Sequence, residues 1–87
     1  MTYRIELKPA AVRDLKNVAR TDQKRIARRI NALAADPRPR GSQKLKQAQD
    51  LRRIIAGDYR ILYQIQDKNS LVVIARIRHR REVYQQL

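Results

Sequence analysis

Cysteine is absent from the 87 residues, and with it every disulfide framework and every thiolate metal site. A single histidine, His79, excludes a multi-histidine metal centre. Tryptophan and phenylalanine are also absent, so no helix pairs a basic face with the bulky anchors of a membrane-surface binder. No apolar run approaches the roughly 18 residues of a membrane span. Asp and Glu number only 8, few for paired acid–base chemistry. The first eight residues alternate polar and apolar and include Glu6, the pattern of a strand and not of a signal peptide.

Positive charge is what the chain has in excess. Lys and Arg number 21, giving a formal net charge of +13. Hydrophobic residues make up 43%, too many for a disordered tail, and the length suits one domain, residues 1–87. A surface charged only for solubility carries a net charge of about 2–8 at this size. The excess points to a polyanionic partner: RNA, DNA, an anionic surface or an acidic protein. Fifteen of the cations are arginine and six are lysine. The planar guanidinium fork suits bidentate phosphate recognition, so the bias favours a phosphate ligand. Residues 37–87 hold twelve of these cations against four acids, which places the search for a site in that half.

The order of elements reads strand, helix, helix, strand, strand, strand. Thr2 to Lys8 alternates, with Tyr3, Ile5 and Leu7 on one side. Pro9 suits the first turn of a helix whose apolar stripe is Ala11, Val12, Leu15, Val18 and Ala19. Thr21 is a good N-cap for a second helix with Ile26, Ile30, Leu33 and Ala34 on its stripe, stopped by Asp36-Pro37. Pro37 to Gln49 has no apolar period and reads as a loop, with a helical turn near Lys46–Gln49. Leu51 to Ala56 and Tyr59 to Gln66 are strands flanking Gly57-Asp58, a type II′ turn with glycine first. After the Asp67–Ser70 turn, Leu71 to Arg78 is the most apolar stretch and suits a central strand. His79 to Leu87 is a basic, then polar tail. This order predicts an α+β fold, with a two-helix hairpin on one face of a mainly antiparallel sheet.

The turn fixes a register. With Gly57-Asp58 at its tip, Ala56 opposes Tyr59, Ile55 opposes Arg60 and Arg53 opposes Leu62. Arg53, Ile55, Arg60 and Leu62 then share one face. Ile54, Tyr59, Ile61, Tyr63 and Ile65 share the other, which should meet the helices. The run Arg76, Arg78, His79, Arg80 and Arg81 arrives at the end of the next strand. Converging cations without matching carboxylates repel one another and await an anion.

Gly57-Asp58-Tyr59-Arg60-Ile61-Leu62-Tyr63 and His79-Arg80-Arg81-Glu82-Val83-Tyr84, at this separation in a basic chain, resemble the RelE-type toxins of the RelE/ParE toxin–antitoxin superfamily. The resemblance covers nearly the whole chain. It implies a microbial-ribonuclease-like fold and a cytoplasmic toxin that enters the ribosomal A site and cleaves mRNA without a cofactor or metal. It implies a cognate antitoxin as partner, and contact with operator DNA only through the toxin–antitoxin complex, with no membrane involved. By the same resemblance Arg60 and Arg53 serve the scissile phosphate, Arg80, with Arg81, lies near the leaving group, and Tyr84 stacks on or orients a nucleotide. Lys44 and Lys46 fall in the loop that contacts ribosomal RNA, and Arg78 adds to the RNA-binding run. Where some members carry a lysine as general base, this chain has Ile55. His79, whose ordinary pKa lies near neutrality, is the candidate base in its place. Two other functions fit the same charge: a ParE-like inhibitor of DNA gyrase, and a nucleic-acid-binding module without catalysis.

Overall fold

β1 (Arg4–Leu7) opens a five-stranded sheet and pairs in parallel with the last strand, β5 (Leu71–His79), Arg4 opposite Leu71 and Leu7 opposite Ile74. The computed structural model describes residues 2–46 and 50–82. Between the two paired strands come α1 (Pro9–Lys16), α2 (Arg20–Ala32), β2 (Gln43–Lys44), β3 (Arg52–Ala56) and β4 (Tyr59–Gln66). The sheet order is β1-β5-β4-β3-β2, antiparallel everywhere except at β1. This is the α+β arrangement that the alternation and helical stripes predict. β5 is an interior strand, in keeping with its apolar run.

The helices cover one face, α1 against β5 and β1, α2 against β3 and β4. Ala11, Val18, Ile26, Ile30 and Leu33 meet Ile54, Ile61, Tyr63, Val72, Ile74 and Ile77 in one core. Tyr63 is fully buried, and its hydroxyl donates to Pro37 O at 2.8 Å, so the phenol's polar end is satisfied inside. Gln23 fixes the corner between the helices. Its side-chain amide donates to Leu15 O at 3.0 Å and to Val18 O at 2.8 Å, carbonyls at the end of α1 and in the link that follows.

Several local expectations shift. α2 starts at Arg20 with Ala19 as its N-cap, so Thr21 lies inside the first turn and caps nothing. Gln43 and Lys44, read as loop, form a two-residue edge strand on β3. Asp67–Asn69 form a 3-10 turn that ends at Ser70 in the left-handed region (φ 49°). Residues 80–82 turn helical directly after β5. The Gly57-Asp58 turn is as expected: Gly57 has φ +62° and Ala56 pairs with Tyr59. No helix among the described residues is long and apolar enough to cross a membrane.

β5 carries one irregularity with wide consequences. Leu62 pairs with Arg76 but Tyr63 pairs with Ile74, so Ala75 is an extra residue, a β-bulge. Before it, Val72 and Ile74 face the helices. After it, Ile77 faces them. β1 stops short of this stretch, and the Asp14 carboxylate of α1 takes its place at the sheet edge. Asp14 Oδ2 accepts from the Ile77 backbone N–H at 2.9 Å and from Arg76 Nε at 2.8 Å, and Oδ1 accepts from Arg76 Nη2 at 3.2 Å.

Burial alone would raise the Asp14 pKa. The Arg76 and Ile77 bonds, with the charges of Arg76 and Arg78, outweigh it and hold the carboxyl below its ordinary 3.8. A folded-state pKa below the unfolded value contributes stability above about pH 4 and loses it as pH falls further. Asp14→Ala is therefore expected to cost roughly 1–3 kcal/mol at pH 7, because it strands the Ile77 N–H. That is about 4–8 °C in Tm per kcal/mol for a domain of this size. Thermal melts of both proteins from pH 7 to pH 2 should show the gap closing below about pH 4. A constant gap would mean that the ionised carboxylate contributes nothing.

Candidate functional site

The face of the sheet turned away from the helices gathers the arginines. Two cross-strand rows run over β3, β4 and β5: Ile55–Arg60–Arg78, and Arg53–Leu62–Arg76. The β3–β4 register is the one that the turn predicts, and the bulge leaves it untouched. The bulge does decide the membership of β5. By reversing the alternation at Ala75 it turns Arg76 and Arg78 to this face and sends His79 to the helix side.

Each row has a different electrostatic fate. Arg76 is neutralised by Asp14. Arg53 Nη2 donates to the neutral Gln43 side chain at 2.8 Å. Arg60 is nine-tenths buried, and among the described residues its guanidinium has no hydrogen-bond partner and no carboxylate within ion-pairing distance. Its direct cross-strand neighbour is another cation, Arg78. Glu82 Oε2 lies 2.9 Å from Arg78 Nε, close enough to pair the charges, yet the buried Nε makes no aligned hydrogen bond. Apart from the Arg76–Asp14 pair, three guanidinium groups thus stand on one face with a single carboxylate among the described residues. Like charges placed opposite each other across strands destabilise a sheet. Such an arrangement gains from an anion that bridges the cations.

The remaining predicted residues fall into three groups. Arg80 leaves the end of β5 beside the turn, its N–H donating to Asp58 O at 2.8 Å, and its exposed side chain belongs to the same end of the sheet as Arg60. Arg81 is exposed, its N–H donating to His79 Nδ1 at 3.3 Å. His79 is not brought to the arginines. It stands edge-on to Tyr59, ring centroids 5.3 Å apart, on the helix side of the sheet. There it lines a cavity of about 190 Å³ with Asp14, Asn17, Tyr59 and Glu82. Lys44 pairs with Arg52, so it too lies on the helix side, at the far edge of the sheet. Lys46 is exposed beyond it. Tyr84 lies outside the described residues. Among the described residues no group of three His, Asp or Glu side chains could hold a metal ion.

Sequence reasoning overlooked Arg52 and did not foresee the pairing of Glu82 with Arg78. Arg52 was legible in principle, since alternation puts it on the side opposite Arg53. Glu82 was not, because its reach to Arg78 depends on the helical turn after β5.

A cation set beside another cation, with no carboxylate partner among the described residues, should cost stability. Arg60→Met keeps the aliphatic stem and removes the charge, so a gain of roughly 0.5–2 kcal/mol is expected in a chemical melt. The same variant should bind a polyanion such as heparin less tightly. Lower stability would show that the guanidinium is already satisfied within the fold.

Known proteins can now be set beside this geometry. The family model described as the ParE toxin of type II toxin–antitoxin system, parDE, matches residues 5–84. No curated protein matches in sequence. Among solved structures, the RelBE2 toxin–antitoxin complex of Mycobacterium tuberculosis contains a chain 26% identical, with a TM-score of 0.82 over 91% of this chain and 92% of that one. A chain of the RelE–RelB complex of the archaeon Pyrococcus horikoshii is 28% identical, with a TM-score of 0.80 over 92% and 97%. Isolated Escherichia coli RelE shares the fold at 18% identity, with a TM-score of 0.76 over 98% and 99%. With a family model covering nearly its whole length and a RelE-like fold throughout, this chain belongs to the ParE toxin family of type II toxin–antitoxin systems, within the RelE/ParE superfamily.

Proposed function

We propose that the chain cleaves mRNA on the ribosome and is held inactive by a cognate antitoxin. The observation that carries this reading is Arg60, buried beside Arg78 with no carboxylate of its own among the described residues, on a face that it shares with Arg53. Fixed cations with unspent donors suit a transition state that gains negative charge. In RNA cleavage the 2′-oxygen attacks the adjacent phosphorus, the bond to the 5′-oxygen breaks, and a 2′,3′-cyclic phosphate and a 5′-hydroxyl result. The 2′ proton must leave and the 5′-oxygen must gain one. Arg53, Arg60 and Arg78 serve the phosphorane between these events, where preorganised donors contribute most. Arg80, at the same end of the sheet, is assigned to the leaving oxygen. His79 faces Tyr59 across the sheet from these groups, so its geometry lends the base assignment no support. Relatives of this fold crystallise as RelE–RelB complexes, which supports an antitoxin as the inhibitory partner.

The match to the ParE toxin model keeps open a second reading, the ParE-like inhibition of DNA gyrase that the resemblance also allows. One pair of assays separates the two. Programmed ribosomes should yield cut message, and a supercoiling assay should be unaffected. Arg60→Ala should lower cleavage by about 10²–10³-fold, the loss typical of one transition-state donor. His79→Ala should cost far less, since the imidazole is on the helix side. Intact message with blocked supercoiling would replace the RNase reading with the gyrase one.

A further inference from the structure

A second cationic site lies on the other side of the sheet. Alternation along β3 sends Arg53 to the open face and Arg52 to the helix side, and the β2–β3 pairing sets Lys44 directly beside Arg52. No helix residue lines this corner. Instead a cavity of about 170 Å³ opens there, lined by Arg38, Lys44, Asp50, Arg52, Gln64 and Ile65. Three of the six are cations and one is an acid.

The cations are unequally engaged. Arg38 grips Asp67 with both terminal nitrogens, at 3.3 and 2.8 Å. Arg52 gives Nη2 to Ser42 Oγ at 2.8 Å, a neutral partner. Its Nε is buried and meets no acceptor among the described residues. Lys44 has no ion-pair partner among the described residues. Asp50 is the one acid of the lining, and no ion pair ties it to Arg52 or Lys44. A guanidinium held by one neutral bond, with an ammonium beside it, has donors left for an oxyanion. The cavity has room for a tetrahedral one.

We infer that the Arg52–Lys44 cavity is a second phosphate-binding site, which takes a backbone phosphodiester of an RNA strand passing around the β2–β3 edge. Two features favour a polymer over a free ion. Consecutive residues, Arg52 and Arg53, present guanidinium groups to opposite faces of one edge, so a strand that wraps the edge meets both. Arg38 is engaged by Asp67 and Asp50 brings a negative charge, which leaves a surplus matched to the single charge of a phosphodiester rather than to the higher charge of free phosphate. The phosphate chemistry stands apart from the proposed cleavage. Only the identity of the polymer rests on it.

The test uses full-length Arg60→Ala protein, which is disarmed on the proposed reading, with the Arg52 Nε–Hε resonance as reporter. Its burial slows exchange with water and makes it visible by NMR. Titration with inorganic phosphate, and separately with a single-stranded RNA octamer, should shift this resonance. Lys44→Ala, at an exposed edge position, should weaken both responses. In salt titrations of RNA binding, each lost phosphate contact should reduce the slope of log K against log salt by about 0.7. A reporter indifferent to both ligands overturns the site. A response to phosphate without one to RNA overturns the polymer. Message left intact by the wild-type chain, with the reporter still responding to RNA, sinks the cleavage reading and leaves the site standing.

Discussion

The extra residue at Ala75 decides which side chains of β5 belong to the core and which to the arginine face. Strand alternation is strict, so one inserted residue exchanges the two faces for everything beyond it. Without it, Ile77 would leave the helices and Arg78 would be driven among them. With it, Ile77 completes the core and Arg78 lands opposite Arg60. The same shift exposes the Ile77 N–H at an edge that β1 no longer covers, and Asp14 meets it. The bulge, the Asp14 bridge and the arginine row are therefore one structural event. Loss of any part would disturb the other two.

The distribution of acids follows from the same constraint. With eight carboxylates for 21 cations, most positive charge cannot be paired. Three described ion pairs take Arg38, Arg76 and Arg78. The Arg38–Asp67 pair is half exposed and, screened by solvent, contributes little. Asp14 matters more, because it also satisfies a backbone donor. None of these pairs reaches Arg60, and that is the electrostatic difference between a merely basic surface and a site. An exposed cation is solvated by water, whereas Arg60 is nine-tenths buried as a residue and has no carboxylate in return among the described residues.

Much of this was written locally in the sequence. The Gly57-Asp58 turn and the alternation on either side fixed the β3–β4 register, and with it the shared face of Arg53 and Arg60. The bulge was hidden because Leu71 to Ala75 is apolar at every position, so the run carries no information about parity. His79 was therefore easily grouped with its arginine neighbours, though it faces Tyr59. β2 escaped notice because two residues show no period. The start of α2 was misjudged because Thr21 has ideal capping chemistry, while Gln23, whose grip on Leu15 O and Val18 O settles the corner, gives no such signal.

A sheet that keeps cations on the face turned away from its helices must find its stability elsewhere. Here the elements divide that labour. The helix side holds the apolar contacts, with Tyr63 anchored on Pro37 O and Ile61, Val72 and Ile74 fully buried. That packing tolerates a strained opposite face because the same strands build both. Filling the open face with carboxylates would relieve the repulsion and also occupy the donors that a phosphate needs. The two demands conflict at Arg60. The fold resolves the conflict by placing Arg60 on β4, flanked by β3 and β5, where backbone pairing on both sides fixes the strand that carries the guanidinium whether or not an anion is bound.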